Sequence, residues 1–179
     1  VDNDGGYRRI NGFTAFGGTD ATRPNSSNAI LGLFVYADGL IVTSGTNIYF
    51  TLDGISYLQI NRASVASSGD NHTTFTGRSI AARTNQSQCN FTFYDGDSQY
   101  GEVVITDESS ASKPFLFKMT GTGVISNRTF FVEEITVSGS VTPTLCTVHD
   151  RHLVVGGDSD TPNTIYFSGT DDINDFTST

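Results

Sequence analysis

One pattern that occurs twice in the sequence restricts the possible fold more than any other feature. Residues 37–57 read ADGLIVTSGTNIYFTLDGISY, and residues 149–176 carry a looser copy, in which TIYFSGTDDINDF follows HDRHLVVGG. The copies lie roughly 115 residues apart, a distance that leaves room for another unit between them. A pattern that recurs in this way predicts a fold assembled from repeated units.

The two copies match in the order of their apolar positions. An insertion of about four residues, containing Asp160, Thr161 and Pro162, separates the second and third segments of the later copy. Extra residues in a turn between strands change the free energy of folding little. The aligned positions are Val35 with Val148, 40–42 with 153–155, 48–51 with 165–168, Asp53 with Asp172, and Tyr57 with Phe176.

Short apolar–polar segments broken by turn residues predict an all-β fold. Four strands are expected within residues 29–61, and the pairs Asp38-Gly39 and Asp53-Gly54 are expected to form turns. In the first of these, Gly39 is expected to supply the positive φ of a two-residue hairpin turn. A four-stranded antiparallel meander cannot bury its faces alone, and repeated meanders of this kind are the blades of β-propellers.

The sequence therefore predicts part of a β-propeller, within a fragment of a longer chain. Residues 1–28 are expected to be a loop-rich N-terminal segment, and at most a turn of helix is expected in NRASVASS, residues 61–68. No apolar run is long enough to cross a membrane as a helix. The expected blades are 29–62, an intervening blade with long loops over 63–128, and a truncated blade over 129–179, into which TFFVEEITVSG leads.

Charge and cysteine content limit the classes of function. The net charge is −9, with 10 basic and 19 acidic residues, which argues against a surface that binds nucleic acid. Cys89 and Cys146 are expected to be buried free thiols, with a disulfide as the alternative. Glycosylation is not expected, although Asn-x-Ser/Thr sequences occur at Asn25, Asn71, Asn85, Asn90 and Asn127.

Two groups of residues are candidates for metal binding. Cys146, His149 and His152 combine thiol and imidazole ligands, but their spacing matches no common zinc site and two of them flank a predicted turn. Asp95, Asp97 and Glu102 lie in YDGDSQYGE, which falls short of a calcium loop and contains residues that turns require. We expect turn residues in both places, and no metal or cofactor.

Catalysis is a weaker alternative. A glycosidase needs two carboxylates facing one cleft, whereas the many Asp residues are predicted to lie in turns at strand ends. TLDGISY is similar to the Asp-box hairpin of sialidase-like propellers, in which the box is a structural turn. The sequence shows no nucleophile motif and no glycine loop that would bind phosphate, so we expect no enzyme. The arginines counted for a substrate carboxylate are scattered: Arg8, Arg9, Arg23, Arg62, Arg78 and Arg83.

Aromatic side chains are concentrated in the predicted strands, where packing between sheets is the expected role and a carbohydrate-binding platform is the alternative. These are Tyr49, Phe50, Phe115, Phe117, Phe130, Phe131, Tyr166 and Phe167.

The ordered patches of this chain resemble the tail nozzle or hub proteins of short-tailed bacteriophages, of the tail tubular protein B type. The patches are YRRINGF, the meander of 29–57, KPFLFKM, and a final series in which HDRHL, the turn Pro162-Asn163, IYFS and DINDF follow one another. The resemblance implies a propeller-like region in a homohexameric ring below the portal and adaptor, which forms part of the conduit for genome ejection. It implies no catalytic or cofactor-binding residue.

The expected function is therefore that of a structural virion protein in a phage tail. Its partners would be further copies in a homohexamer, the adaptor or portal, and the tail fibres, while DNA would pass an acidic wall without specific binding. A propeller that binds a receptor or glycan is the alternative, followed by a sialidase-like glycosidase.

Overall fold

The structure, a computed structural model, describes residues 24, 28–61, 75–77, 83, 86–96, 98–108 and 113–176, and its architecture is all-β. These residues form twelve strands in three sheets of four, five and three strands, with one short 3-10 helix, Ile125–Asn127. The predicted N-terminal segment, apart from Pro24 and Asn28, and the predicted turn in NRASVASS, apart from Asn61, lie outside the described residues.

The first sheet is an antiparallel meander, as the sequence predicts. It contains β1 (Ile30–Tyr36), β2 (Gly39–Ser44), β3 (Asn47–Thr51) and β4 (Leu58–Gln59), paired in that order. The turn between β1 and β2 differs by one residue from the prediction. Ala37 and Asp38 form it, and Ala37 rather than Gly39 takes a positive φ of 52°. Gly39 is the first residue of β2, where a Cβ atom would lie 2.5 Å from the Phe50 ring.

The central sheet has five strands in the order β5-β9-β8-β7-β6. All neighbours are antiparallel except β5 and β9, which are parallel. The prediction that TFFVEE leads into the last unit is corrected here, because this segment, β9, pairs along its length with β8 and so completes the central sheet. The strands are β5 (Phe75–Gly77), β6 (Cys89–Tyr94), β7 (Glu102–Asp107), β8 (Phe115–Thr120) and β9 (Thr129–Glu134).

The third sheet contains β10 (Leu145–His149), β11 (His152–Gly156) and β12 (Ile165–Phe167), all antiparallel. Asp150 and Arg151 form the predicted hairpin turn, with φ values of 47° and 64°. The predicted insertion lies in the loop between β11 and β12, where Asp158 accepts hydrogen bonds from the backbone N–H groups of Thr142 at 2.9 Å and Thr161 at 3.0 Å.

The cross-strand register of the first sheet recurs in the third, which confirms the alignment of the two copies over their strands. The matches of Asp53 with Asp172 and of Tyr57 with Phe176 lie outside these strands and stay predictions. The same register relates β6, β7 and β8 of the central sheet to β1, β2 and β3, although the sequence did not reveal that repeat. The equivalent pairs are Val35–Leu40, Phe93–Val103 and Val148–Leu153 at the first hairpin, and Ile41–Phe50, Val104–Leu116 and Val154–Phe167 across the second and third strands.

Side chains alternate along each strand, so each sheet has two faces. We call them the leading face and the trailing face, and equivalent residues lie on the same face in all three sheets. The leading face carries Ile41 and Phe50 in the first sheet, Val104 and Leu116 in the central sheet, and Val154 and Phe167 in the third. The trailing face carries Val35 and Leu40, Phe93 and Val103, and Val148 and Leu153, respectively.

The three sheets are stacked in the same sense. One core cluster joins the leading face of the first sheet, with Ile41 and Phe50, to the trailing face of the central sheet, with Val103 and Phe117. A second cluster joins the leading face of the central sheet, with Val104 and Leu116, to the trailing face of the third, with Leu153 and Val155. The edge strand β6 of the central sheet contacts both β1 of the first sheet and β10 of the third.

In the part of the chain that the structure describes, the sheets do not close into a barrel or a ring. The predicted all-β fold is thus present, while the interpretation of the sheets as propeller blades stays a prediction. Among the described residues, no helix has the length and apolar character needed to cross a membrane.

Candidate functional site

A polar cleft of about 620 Å³ lies between the central and third sheets. Its walls come from β6 to β9 on one side and from the turns of the third sheet on the other. Five carboxylates and two cationic side chains lie in these walls. The charged lining residues are Asp95, Glu102, Lys118, Glu133, Arg151, Asp171 and Asp172.

Both cationic side chains of the cleft form ion pairs. Lys118 Nζ donates to Glu102 Oε1 at 2.7 Å, and the ammonium also lies 5.0 Å from the centre of the Phe131 ring. Arg151 Nη2 lies 3.0 Å from Asp171 Oδ2, in an exposed pair. The cleft therefore offers a polar, acidic surface with two aromatic rings, those of Tyr94 and Phe131, and is suited to polar ligands rather than to apolar ones.

The predicted acidic candidates are partly brought together in this cleft. Asp95 and Glu102 both line it, whereas Asp97 lies outside the described residues. Glu102 is buried and held by Lys118, a partner that sequence reasoning missed. The alternation of FLFKMT could have suggested it, because that pattern places Lys118 on the leading face beside Leu116.

The predicted thiol–imidazole candidates are not brought together. Cys146 lies on the trailing face of the third sheet, and its Sγ is 3.6 Å from Thr106 Oγ1. His149 and His152 lie on the leading face, where His152 Nδ1 donates to the Ser168 carbonyl at 2.6 Å. Alternation along β10 separates Cys146 from His149, and no cluster of three metal-binding side chains occurs among the described residues.

Both cysteines are free, as predicted, and both are shielded by the stack. Burial raises the pKa of the Cys89 thiol to about 12 and that of Cys146 to about 11. Neither thiol is therefore an activated nucleophile at neutral pH, because the thiolate is the reactive form.

The Asp-box-like segment is a structural turn, as its resemblance implies. Asp53 Oδ1 accepts hydrogen bonds from the backbone N–H groups of Ile55 at 2.9 Å and Ser56 at 2.8 Å. These bonds hold the pKa of the Asp53 carboxyl below its usual value. Gly54 takes the left-handed conformation that the turn requires, with φ of 70°.

Most of the aromatic candidates lie in the cores between the sheets. Phe50 packs on Phe117 and Phe130, with ring centres 5.9 and 6.0 Å apart, and Phe115 belongs to the same cluster. Phe167, however, is exposed, and Tyr49 is buried but belongs to neither core cluster, its ring packing on Tyr57 instead. The expectation of packing between sheets therefore holds for most of these residues but not for Phe167 or Tyr49.

Of the six arginine candidates, Arg83 lies within the described residues, and it joins two structural elements. Arg83 is buried, pairs with Asp107 at 2.7 Å and donates to the Gly45 carbonyl at 3.2 Å. The other five arginines named as candidates lie outside the described residues. Of the glycosylation sequences, Asn90 donates to the Thr144 carbonyl at 2.9 Å, Asn127 is exposed, and the remaining three also lie outside.

A second recurring feature is a hydrogen bond from each sheet to the next. The hydroxyl of Tyr36, the last residue of β1, donates to the carbonyl of Gly101, the residue before β7, at 2.8 Å. The hydroxyl of Tyr94, the last residue of β6, donates to the carbonyl of Arg151, the residue before β11, at 3.4 Å. The two bonds join equivalent positions, so the hydrogen bonds between sheets repeat along the stack, as the apolar packing does.

Comparisons with protein-family models, with curated proteins and with solved structures found no match. The functional interpretation therefore depends on the geometry of the sheets and on the residue patterns.

Proposed function

We propose that this chain is a structural protein of a short-tailed bacteriophage tail, in the nozzle or hub that conducts the genome. Its three sheets would be successive blades of a β-propeller, carried by each subunit of a homohexamer in contact with the adaptor or portal and the tail fibres. The observation that carries this proposal is the repeated contact between stacked sheets, with equivalent faces packed in the same sense.

The polar side chains that join the sheets support a mechanical role. Arg128 of the central sheet is buried and binds Asp38 in the first hairpin through two N–H···O contacts of 2.7 and 2.5 Å. Arg83 joins the central sheet to the turn after β2 through Asp107 and Gly45. Such contacts hold the sheets in fixed positions relative to one another, as the wall of a conduit under mechanical force requires.

The charge of the chain fits passage of DNA rather than its retention. A net charge of −9 leaves few groups that could replace the counterions of phosphate. We expect the purified protein not to retard duplex DNA in a gel at low salt. Retardation that weakens steeply with added salt would contradict the proposed non-binding wall.

Electron microscopy of native particles that contain this chain tests the proposal itself. We expect six-fold rings at the tail, in which density for stacked sheets accommodates the three-sheet unit. Isolated propellers without a tail, or absence of the chain from virions when their proteins are identified by mass spectrometry, would refute it.

Recognition of a receptor or glycan is a second candidate, favoured by the polar cleft with Lys118 beside Phe131. A glycan array would test it, with Lys118→Ala as the cleft variant and Lys113→Ala as the control outside the cleft. Hits that the cleft variant alone abolishes would support this candidate. An array without hits would leave the structural role as the better account.

A sialidase-like activity remains the lesser alternative. It would require paired carboxylates around a bound sugar, and Glu102 is the most buried carboxylate of the cleft. Hydrolysis from a panel of glycosides that Glu102→Gln abolishes would support the enzyme. Undetectable hydrolysis would count against it.

A further inference from the structure

Among the described residues, the third sheet lacks a strand that the other two sheets have. In the first sheet, β4 pairs with β3 on the side away from β2, and in the central sheet β9 pairs with β8 on the side away from β7. The equivalent strand of the third sheet, β12, pairs with β11 alone and forms the edge of the sheet. Such an edge presents backbone N–H and C=O groups with which another strand can pair.

One backbone hydrogen bond recurs where the fourth strand is present. The Ile60 N–H donates to the Ile48 carbonyl at 2.8 Å, and the Ile135 N–H donates to the Pro114 carbonyl at 2.8 Å. Ile48 and Pro114 occupy equivalent positions in their sheets, and the third-sheet counterpart is Ile165. Both donor isoleucines are fully buried. A fourth strand of the third sheet would therefore place an apolar residue beside Ile165 and donate its N–H to the Ile165 carbonyl.

The backbone of β12 is oriented to form this bond. The Ser168 N–H donates to the Leu153 carbonyl of β11 at 2.9 Å. Successive residues of a strand direct their backbone groups to opposite sides, so those of Phe167 and Ile165 point away from β11. The side chains of Phe167 and Ile165 are also 52% and 63% exposed. The edge of β12 is therefore open in its backbone and in its side chains.

The sequence contains a further copy of the fourth strand. Residues 57–61, which include β4, read YLQIN, and residues 7–11 read YRRIN. The equivalent residues at the end of β9, 133–136, read EEIT. In all three segments a polar residue precedes an isoleucine, and a short polar residue follows it. Residues 7–11 thus have the pattern of the strand that pairs with β3 and β8.

Two residues that the copy shares with residues 57–61 hold β4 against β3. Ile60 makes the recurring backbone bond. The Asn61 side chain accepts a hydrogen bond from the Ile48 N–H at 2.7 Å and donates one to the Thr46 carbonyl at 2.8 Å, which extends the pairing beyond β4. The corresponding residues of the copy are Ile10 and Asn11.

We propose that residues 7–11 dock along β12 of the same chain as the fourth, antiparallel strand of the third sheet, with the Ile10 N–H donating to the Ile165 carbonyl. Charge favours this pairing, because residues 7–11 include Arg8 and Arg9, whereas residues 150–176 contain six aspartates, one arginine and no lysine. The proposal rests on the register of the sheets and on the repeated sequence, and not on the proposed role in a phage tail.

The length of the intervening chain permits this docking. The 16 residues between Asn11 and Asn28 can span about 50 Å, whereas two spacings between stacked sheets amount to about 20 Å. A tether of this length gives the segment a high effective concentration at β12, which favours its own chain over a second copy. Docking would hold the two ends of the stack together, because one continuous chain would join the first sheet to the third.

Cysteine cross-linking in the full chain tests the docking. Arg8→Cys and Phe167→Cys place thiols at the positions of Leu58 and Phe50, which pair in the first sheet. Opposed residues of an antiparallel pair lie about 4.5–5.5 Å apart at their Cα atoms, within the range of a disulfide. We expect mild oxidation of the double variant to give a disulfide within the monomer, identified by mass spectrometry of the linked peptides.

The control pair is Arg8→Cys with Val124→Cys, because Val124 is 61% exposed but lies between β8 and β9, away from β12. The native Cys89 and Cys146 contribute little background, since burial raises their pKa values to about 12 and about 11. Equal linking in the control pair would overturn the proposal. Disulfide-linked dimers in place of the linked monomer would also overturn it and would assign the edge to a second copy.

Residues 177–179, TST, are the competing occupant of this edge, since they follow Phe176 directly. They carry no apolar side chain that could replace Ile60. Thr177→Cys with Phe167→Cys tests them, because the alignment of the two copies places Thr177 at the position of Leu58. We expect little linking in this pair, and linking in preference to the Arg8→Cys pair would overturn the proposal.

Hydrogen exchange measures the docking without added thiols. Deletion of residues 1–11 removes the segment, and deletion of residues 1–6 is the matched control. We expect the Phe167 amide, which points to the open edge, to exchange roughly tenfold faster in the longer deletion, while the Ser168 amide keeps its rate. Equal rates at Phe167 in the two deletions would overturn the docking. Absence of the chain from phage particles would refute the proposed function and leave this docking standing.

Discussion

At the scale of single residues, polar side chains reach from one sheet into the turns of the next. Tyr36 and Tyr94 do so through their hydroxyl groups, and Arg128 does so through its guanidinium. The Arg128 side chain is 0% exposed, so its charge depends on the Asp38 carboxylate and the Gly123 carbonyl for solvation. These few groups should affect stability more than their number suggests.

Asp38→Ala should destabilise the fold strongly, because it leaves the buried guanidinium of Arg128 without its carboxylate. The Asp38 side chain is 58% exposed, so the pair is only half buried, and loss of the carboxylate should cost about 1–3 kcal/mol. Asp171→Ala is the matched control, since the pair it breaks with Arg151 is exposed on both sides and should contribute less than about 1 kcal/mol. Urea unfolding would measure both variants, and equal losses would contradict the role given to Arg128.

The burial of Tyr36 predicts a loss of stability in alkali. Desolvation raises the pKa of its hydroxyl from 10.0 to about 12. The folded state therefore holds this proton more tightly than the unfolded state, and the resulting stabilisation, up to about 2.5 kcal/mol, is present below about pH 10 and lost as the pH rises towards about 12. Unfolding free energies measured across this range should fall less steeply in Tyr36→Phe. If the unfolding free energy fell equally steeply with pH in both proteins, burial would not raise the pKa of the Tyr36 hydroxyl.

At the scale of elements, the sequence predicts strands better than it predicts their partners. The repeated IYF segments and their register were recoverable, because period-two alternation and turn residues are local signals. The assignment of β9 to the central sheet was not, since pairing with β8 depends on tertiary packing rather than on the segment itself. In the cleft, Asp95 and Glu102 were identifiable as a local acidic cluster, whereas Lys118 and Arg151 reach it only through the stacking of two sheets.

In the first hairpin, packing rather than turn geometry explains why residue 39 is a glycine. Gly39 is required for the close approach of β2 to β3, because an added Cβ atom would lie 2.5 Å from the Phe50 ring and 2.7 Å from the Thr51 carbonyl oxygen. Overpacking of this kind costs about 1–3 kcal/mol, so Gly39→Ala should lower the unfolding free energy by about that amount. Gly169→Ala is the control, since its nearest contact would be an ordinary 3.4 Å. Equal losses of stability for Gly39→Ala and Gly169→Ala in thermal unfolding would show that the close approach of β2 to β3 does not require a glycine.

At the scale of the whole molecule, the three sheets repeat one kind of contact, in which the leading face of one sheet packs on the trailing face of the next. The repeat of register, of apolar burial and of the tyrosine hydrogen bond all point in the same direction along the stack. An array of this kind propagates, because each added sheet presents the face that the next one needs. The proposed propeller would end such an array by closing it into a ring.

A double-mutant cycle tests the stacking of the sheets most directly. Phe34 of the first sheet and Phe91 of the central sheet are stacked, with ring centres 5.4 Å apart. The account predicts that the losses of unfolding free energy in Phe34→Ala and Phe91→Ala are not additive, with a coupling of about 0.5–1.5 kcal/mol. In the control cycle Val35→Ala replaces Phe34→Ala, because the Val35 side chain lies on the opposite face of β1, and the two losses should add. Additive losses in the cycle of Phe34 and Phe91 would contradict the stacking.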